Sequence, residues 1–244
     1  MSAVWPPGYG RIEFDDLDST NEEARRRAKD SVCVPLWIRA DRQSLGRGRR
    51  GRSWSSGSGN LAATLLMRPQ CSIAQCAQLS FVTAVAAAHA VRLFTAGVEV
   101  KWPNDILVRS RKIAGILLET AGAGVPEYLA IGVGINLATH PAESLFPATS
   151  LAGIGVAVPS AREMLSELAA NFARWYELWR SDGFGPIREE WLRLAARLGE
   201  PILARLAESE VRGVFEGIDE NGALLLRQEQ RTITIAAADV YFGS

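Results

Sequence analysis

Residues 43–54 read QSLGRGRRGRSW, and three glycines and four arginines fall within the seven residues GRGRRGR. Glycine adopts positive φ and lets the backbone come close to a ligand. The planar guanidinium groups of arginine match the oxygens of phosphates and carboxylates. We call this segment the clamp loop, because its composition favours a mobile loop that closes over an anion. Arginine-rich runs are also typical of solvated surfaces, nucleic-acid patches and targeting sequences, so the rest of the chain has to distinguish these alternatives.

Apolar runs flank the clamp loop on both sides. Residues 35–41 precede it and residues 60–67, NLAATLLM, follow it; short apolar runs bounded by turn residues are typical of buried strands. Upstream, Ser19 and Thr20 each stand three residues before a glutamate. This capping-box spacing predicts a helix that ends near Lys29, in which both hydroxyls have a structural use as caps.

The pattern downstream predicts the fold class. The apolar, alanine-rich residues 72–95 predict one buried helix, and four short strands follow at 98–102, 105–108, 112–119 and 128–137. A capping box at Ser160 and Glu163, and then Pro186, begin two amphipathic helices. From residue 199 the pattern changes to short strands with a turn at 219–222. We therefore predict an α+β fold with two domains, 1–197 and 198–244.

The amino-acid composition argues against two classes of protein, nucleic-acid-binding proteins and membrane proteins. The chain has 244 residues with 27 Lys+Arg and 27 Asp+Glu, so its net charge is zero and the clamp loop is a local concentration of charge. A nucleic-acid-binding protein usually has a broad basic surface instead. Neither a signal peptide nor a stretch of about 18 apolar residues is evident in the sequence. These features predict a soluble protein without membrane anchoring.

The cysteines and histidines indicate neither a disulfide framework nor a metal site. Cys33, Cys71 and Cys76 are odd in number and contain no C-x-x-C pair, which favours a reducing cytoplasm and predicts no protein-bound metal. His89 and His140 have no recognisable partner in the sequence, and His89 is expected to be a core or partly exposed residue. Motifs of hydrolases and metalloproteases are also missing. Nucleotidyl transfer fits this pattern, because positioning and cations that neutralise phosphate charge supply most of its catalysis.

Two further motifs contain candidate functional residues. KWPND at residues 101–105 places Lys101 at the end of an apolar strand, before a turn constrained by proline. Taken alone, this lysine is more typical of a surface strand end beside a type I turn. GVGIN at 132–136 combines small residues, which permit close approach, with the amide of Asn136, which is able to read the edge of a base.

The motifs occur in an informative order: STN at 19–21, the clamp loop, KWPND, KIAGILLE at 112–119, GVGIN and the β-rich tail. In this order the chain resembles the biotin protein ligases, also called biotin–[acetyl-CoA-carboxylase] ligases or holocarboxylase synthetases, over nearly its whole length. The resemblance implies a catalytic domain of the class II synthetase type, with a central mixed or antiparallel sheet and flanking helices, followed by a small SH3-like β-barrel. It also implies that biotin and Mg-ATP form biotinyl-5′-AMP, from which biotin passes to a lysine of a biotin carboxyl carrier protein.

The same resemblance assigns roles to residues of this chain. Lys101 and Arg49 would be the catalytic residues, because both would face the reacting carboxylate and α-phosphate. The residues that would bind biotin are Ser19, Thr20, Asn21, Gln43, Gly46, Arg47, Gly48, Arg49 and Lys101. The residues that would bind ATP or the adenylate are Arg49, Arg52, Trp54, Lys112 and Asn136, with Trp54 stacked on the adenine and Asn136 at its edge.

Several expectations about partners follow from the resemblance. Only 18 residues precede the STN motif, too few for a winged helix-turn-helix, so we expect a monofunctional ligase that does not bind DNA. Members of the family occur as monomers and as homodimers. Two alternatives remain at this stage: a lipoate or octanoate ligase or transferase on a related fold, and a non-enzymatic nucleic-acid-binding module that uses the clamp loop and the β-rich tail.

Overall fold

The computed structural model describes residues 3–30, 35–55, 57–142, 146–206, 209–229 and 231–242, so Cys33 lies outside the described residues. The larger part is built on a seven-stranded sheet. Its strands are β1 (Gly10–Leu17), β2 (Leu36–Gln43), β3 (Leu61–Met67), β4 (Val98–Lys101), β5 (Asp105–Val108), β6 (Arg111–Ala121) and β7 (Tyr128–Ile135). Their order across the sheet is β1-β2-β3-β7-β6-β5-β4. Strands β1 and β2 are parallel, whereas the other neighbours are antiparallel.

Five α-helices accompany the sheet in the described part of the chain: α1 (Thr20–Ala28), α2 (Ile73–Cys76), α3 (Leu79–Arg92), α4 (Ala161–Asp182) and α5 (Gly185–Leu194). The predicted capping box at Ser160 is present, because its hydroxyl accepts from the backbone of Glu163 while the Glu163 carboxylate accepts from the backbone of Ser160. Pro186 lies in the first turn of α5, where its missing N–H has no cost.

The single helix predicted for residues 72–95 is wrong in one respect, since it forms two helices, α2 and α3. Ser72 does begin the first helix with a capping box. The backbone N–H groups of Ala77 and Gln78 then bond to carbonyls three residues earlier, which interrupts the α-helical ladder. By length and composition the run from Ile73 to Arg92 could cross a bilayer, but 61% of its apolar window is buried within the protein, as in the core helix of a globular protein.

Each face of the seven-stranded sheet has a different covering. Strand residues such as Trp37 and Leu65 pack with the apolar side chains of α3 and α4 in the main core. On the opposite face, Ala24 of α1 packs with Ile38 and Ala130 in a smaller cluster. Since α1 covers only part of that face, the neighbouring part of the sheet is left to form a cavity.

The C-terminal segment forms a second sheet of five antiparallel strands. They are β8 (Pro201–Arg205), β9 (Glu210–Ile218), β10 (Leu224–Gln228), β11 (Arg231–Ile235) and β12 (Asp239–Phe242), in the order β11-β10-β9-β8-β12. Trp102 ties this sheet to the larger one, because its indole N–H donates to the carbonyl of Gly222 at 2.9 Å. The mixed sheet, the helices and the separate antiparallel sheet confirm the predicted α+β fold.

Candidate active site

A cavity of about 550 Å³ opens on the sheet face that carries α1. The clamp loop, the KWPND turn and strand β12 complete its walls. Of the residues predicted to bind biotin or ATP, all line this cavity except Gly46. The fold thus brings together side chains that lie more than a hundred positions apart in the sequence.

Glycines form the floor of the cavity. Gly134 of β7 lies opposite Gly115 of β6 in the strand pairing, and the indole of Trp54 lies over both. A Cβ atom at Gly134 would overlap the Trp54 ring, and one at Gly115 would lie 3.0 Å from Trp54 Cζ3. In the same way Gly132 makes room for the amide of Asn21. Hence only residues without a side chain allow these groups to lie against the sheet.

A network of neutral polar side chains, which ends on the Glu119 carboxylate, occupies one end of the cavity. Gln43 Oε1 accepts hydrogen bonds from the backbone N–H of Thr20 at 2.8 Å and from its hydroxyl at 3.0 Å. Thr64 Oγ1 lies 2.8 Å from Thr20 Oγ1 and 2.5 Å from Asn21 Oδ1. Asn21 Nδ2 in turn donates to Glu119 Oε2 at 2.7 Å. These contacts fix the orientation of the buried polar side chains at this end of the cavity.

Sequence reasoning missed Thr64 and Glu119. The available signal was weak, since Thr64 is one polar residue within the apolar run NLAATLLM. By contrast, Ser19 was recognised as both a cap and a candidate ligand. It occupies the N-cap position of α1 without a side-chain capping bond and is only 2% exposed. Its hydroxyl therefore lines the cavity instead of closing the helix end.

The arginines of the clamp loop differ in their partners. Arg47 contacts Glu22 Oε1 at 2.5 Å and Glu119 Oε2 at 3.0 Å. Arg52 Nη2 lies 3.0 Å from Asp239 Oδ1, and Arg50 binds the other oxygen of the same carboxylate. Two of the loop's cations are therefore tied to the C-terminal sheet, which the sequence did not indicate.

Arg49 is different, because in the described part of the chain it has no ion pair and bonds only to Asn104 Oδ1, at 3.3 Å. Burial lowers the pKa of its guanidinium below the usual value. The charge of Arg49 is thus the one in the clamp loop that no carboxylate within the described residues neutralises, a state suited to binding an anion.

Lys101 ends β4 and is 7% exposed. Burial lowers its pKa to about 8, although Asp105 opposes the effect. Lys112, on the adjacent part of the sheet, forms an ion pair with Asp105 at 2.6 Å, and its Nζ lies 5.4 Å from the Trp54 ring centroid. The cavity wall therefore carries one buried lysine without a carboxylate contact in the described structure and one that is paired.

Two predicted ligands have structural contacts that bear on their roles. Gly46 does not line the cavity, because its position is determined by the clamp loop itself. Its carbonyl accepts from the backbone N–H of Trp54 at 2.9 Å, and a Cβ atom at Gly46 would overlap the Trp54 carbonyl. Asn136 does line the cavity, but its side-chain N–H donates to the Thr149 carbonyl at 3.0 Å.

The fold gives each histidine a partner that the sequence did not reveal. His89 Nε2 lies 2.6 Å from Glu190 Oε1, across helices α3 and α5. His140 Nδ1 lies 3.1 Å from Ser150 Oγ. Neither histidine lines the cavity in the described structure. Within the described ranges no group of three His, Cys, Asp or Glu side chains could hold a metal ion.

Two protein-family models match this chain. Residues 14–136 match the biotin/lipoate A/B protein ligase family, and residues 198–243 match the biotin protein ligase C-terminal domain. The chain is 45% identical over 235 residues to the biotin–[acetyl-CoA-carboxylase] ligase of Paracoccus denitrificans, covering 93% of this chain and 98% of that protein.

More distant relatives are also described as ligases. The bifunctional ligase/repressor BirA of Escherichia coli is 35% identical over 222 residues, which cover 87% of this chain and 68% of that protein. The fold matches the biotin protein ligase from Aquifex aeolicus in complex with biotin and ATP with a TM-score of 0.82, at 26% identity over 95% of this chain and 97% of that chain. On this evidence, the chain belongs to the biotin protein ligase family.

Proposed function

We propose that this protein activates biotin with Mg-ATP and transfers it to a lysine of a biotin carboxyl carrier protein. The observation that carries the proposal is the composition of a single cavity. A neutral hydrogen-bonding end, built on Thr20, Asn21 and Gln43, adjoins a cationic end that contains Arg49 and Lys101. The first suits the uncharged polar head of biotin, and the second suits a carboxylate next to a phosphate.

In the first step, a carboxylate oxygen of biotin attacks the α-phosphorus of ATP. A new P–O bond forms, the bond between the α-phosphorus and the bridging oxygen breaks, and pyrophosphate leaves with Mg²⁺. Arg49 and Lys101 stabilise the negative charge that gathers on the α-phosphate, and their burial strengthens this effect. In this proposal both are catalytic residues, with Lys112 as an additional cation.

In the second step, the neutral amine of the carrier lysine attacks the acyl carbon of biotinyl-5′-AMP. A C–N bond forms, the C–O bond of the mixed anhydride breaks, AMP leaves, and the amine gives up a proton. The clamp loop shields the adenylate from water until this moment. Trp54 covers the adenine, and Arg52 holds the loop over the phosphate.

The contacts of Gly46, Arg47 and Asn136 change the roles that we propose for these residues. Ser19, Thr20, Asn21, Gln43 and Gly48 are proposed as biotin ligands, whereas Gly46 acts by shaping the loop. Arg47 is held by Glu22 and Glu119, so we assign it to the wall of the biotin end. Asn136 retains its carbonyl oxygen for the adenine edge, since its N–H contacts Thr149.

The experiment that tests the proposal is biotin-dependent exchange of pyrophosphate into ATP, followed by biotinylation of an isolated carrier domain. We expect exchange with biotin and none with lipoate or octanoate. Exchange that requires lipoate or octanoate would favour the alternative transferase activity. Salt-dependent DNA binding without exchange would favour the nucleic-acid-binding alternative.

We also propose the division into domains 1–197 and 198–244, a cytoplasmic location and the absence of DNA binding. The division is supported by the end of α5 at Leu194 and the start of β8 at Pro201. For assembly, edge strand β1 carries charged side chains such as Arg11 and Glu13, which oppose edge-to-edge pairing. Light scattering across a concentration series distinguishes a monomer from a homodimer.

A further inference from the structure

The ammonium of Lys101 lies between two aromatic rings. Its Nζ is 4.1 Å from the centroid of Phe146 and 4.8 Å from the centroid of Phe242. Both distances are within the range of cation–π attraction. Carboxylates on neighbouring strands are engaged elsewhere, since Asp105 binds Lys112 and Asp239 binds the clamp loop.

The rings come from segments that the sequence motifs do not include. Phe146 lies between β7 and α4, and Phe242 ends β12 of the C-terminal sheet. Phe146 packs against Tyr241 with ring centroids 5.0 Å apart. Phe242 is also contacted by Arg197, whose guanidinium carbon is 5.6 Å from the ring centroid. The two rings are therefore held by their own neighbours, independently of Lys101.

We propose that Phe146 and Phe242 form an aromatic seat that positions Lys101 for the reaction and keeps its ammonium charged. The inference rests on the proposed function, because it assigns the seat a task in adenylate formation. It also makes the C-terminal sheet a contributor to the chemistry of the larger domain through a side chain, Phe242. Neither ring is a catalytic residue, since both act through Lys101.

An aromatic seat has an effect that a carboxylate partner would lack. A carboxylate 3 Å from the ammonium would neutralise it and compete with the α-phosphate for its hydrogen bonds. The π face attracts the cation through its quadrupole but accepts no strong hydrogen bond. The rings thus fix the orientation of the Lys101 side chain, while its N–H groups stay available to donate hydrogen bonds to an incoming anion.

The seat also affects the protonation of Lys101. Burial lowers the pKa of the amine to about 8, Asp105 and Asp239 raise it, and Lys112 and Arg52 lower it. Arg197 lies near the Phe242 ring and Tyr241 packs against Phe146. Leucine at position 242 or 146 would keep the site apolar but remove the attraction for the cation, so the pKa of Lys101 should fall.

The test begins with the ligand-free full-length protein. The chain contains only three lysines, Lys29, Lys101 and Lys112, so ¹³Cε-labelled lysine gives three NMR signals, which Lys29→Arg and Lys112→Arg assign. We expect Phe242→Leu and Phe146→Leu each to lower the titration midpoint of Lys101 by about one pH unit, the size of a desolvated cation–π contact. Phe242→Tyr should restore it.

The second measurement is the pH profile of single-turnover adenylate formation. We expect the rate to fall above pH 8 in the wild type and to begin falling about one pH unit earlier in both leucine variants. Lys101→Arg should abolish this fall in rate at high pH. Adding Phe242→Leu to Lys101→Arg should then leave the pH profile unchanged. Phe14→Leu is the matched control, since Phe14 lies 5.7 Å from the guanidinium of Arg27, outside the cavity.

An unchanged or higher Lys101 midpoint in both leucine variants would overturn the proposal, even if their activity were low, because the rings would then only hold the C-terminal sheet in place. Should Phe242→Leu fail to fold, Phe146→Leu gives the same test from the other ring. A wild-type protein without biotin-dependent adenylation would refute the proposed function, whereas the NMR titration would still decide whether the seat exists.

Discussion

Asn21 Oδ1 occupies the space above Gly132, so that a Cβ atom at position 132 would overlap it. Asn21 belongs to the first turn of α1 and Gly132 to the middle of β7. The contact joins a helix to the sheet and at the same time places a polar amide at the neutral end of the cavity. The missing side chain on the strand is therefore what allows Asn21 to lie against the sheet at this end of the cavity.

Gly132→Ala should weaken biotin binding without unfolding the protein. The methyl group would push Asn21 away and break its contacts with Thr64 and Glu119. We expect Kd for biotin to rise at least tenfold, about 1.4 kcal/mol, in isothermal titration calorimetry. The matched control is Gly185→Ala in α5, where a Cβ atom would meet nothing within 4 Å. Equal affinities in the two variants would contradict this interpretation.

Thr64→Val should have a similar but smaller effect. Valine keeps the shape of threonine but leaves Asn21 Oδ1 without its buried hydroxyl donor, at a cost of about 1–2 kcal/mol, whereas Thr20 Oγ1 keeps its bond to Gln43. Biotin affinity should fall about tenfold. Thr83→Val is the control, because its hydroxyl bonds to the Leu79 carbonyl within α3 and Thr83 does not line the cavity. A loss of affinity in the control alone would refute the role of Thr64.

Asp239→Asn should loosen the clamp loop. Arg50 and Arg52 would lose their carboxylate, and dissociation of biotinyl-5′-AMP should become about tenfold faster in a stopped-flow chase. Thermal stability should change by less than about 1 kcal/mol, because both arginines are substantially exposed. The control Asp16→Asn removes the exposed pair with Arg42, outside the main cavity. Identical dissociation rates would show that the tether has no effect on the adenylate.

Arg49→Gly should release the adenylate into solution and cause self-labelling. Of the three lysines only Lys29 is exposed, so peptide mass spectrometry should find biotin there in the absence of a carrier. Arg49→Lys retains a cation and should label Lys29 much less. The role of Arg49 would be disproved by an adenylate that dissociates as slowly as in the wild type.

Glu190→Gln tests the stabilising contact with His89 and Arg193. Bonds to Arg193, and then to His89, hold the pKa of Glu190 near 2, below its ordinary value of 4.5. The lowered pKa contributes stability that is present above about pH 4.5 and disappears as the pH falls towards 2.

We expect the substitution to cost about 1 kcal/mol in urea unfolding at pH 7, because Arg193 is half exposed, and much less near pH 2. The exposed Glu177, paired with Arg180, provides the control Glu177→Gln. A difference between wild type and Glu190→Gln that is constant with pH would exclude this account.

Much of the fold was accessible from the sequence because its signals are local. The capping box at Ser160 predicts a helix start from a spacing of three residues and is present, whereas the side-chain cap that the same spacing predicts at Ser19 is absent from the described structure. The strands flanking the clamp loop follow from apolar runs. The break between α2 and α3 was missed, because alanine-rich sequence supports either one helix or two and only tertiary packing separates them.

The candidate site likewise combines residues that the sequence predicted with contacts that it did not predict. The order of STN, the clamp loop and KWPND indicated which residues would meet, and they do line one cavity. Their partners were not foreseen: Thr64 is hidden in an apolar run, and the Asp239 carboxylate lies 187 positions from Arg52 in the chain.

The sequence by itself determined the family, most of the helices and strands, and most of the candidate binding residues, since these depend on motifs and on short-range spacing. Only the tertiary structure decided which charges are neutralised and which stay available. Arg47, Arg50 and Arg52 have carboxylate partners, whereas Lys101 lies between two rings. The physical reason is that burial and pairing depend on distances across strands far apart in the chain.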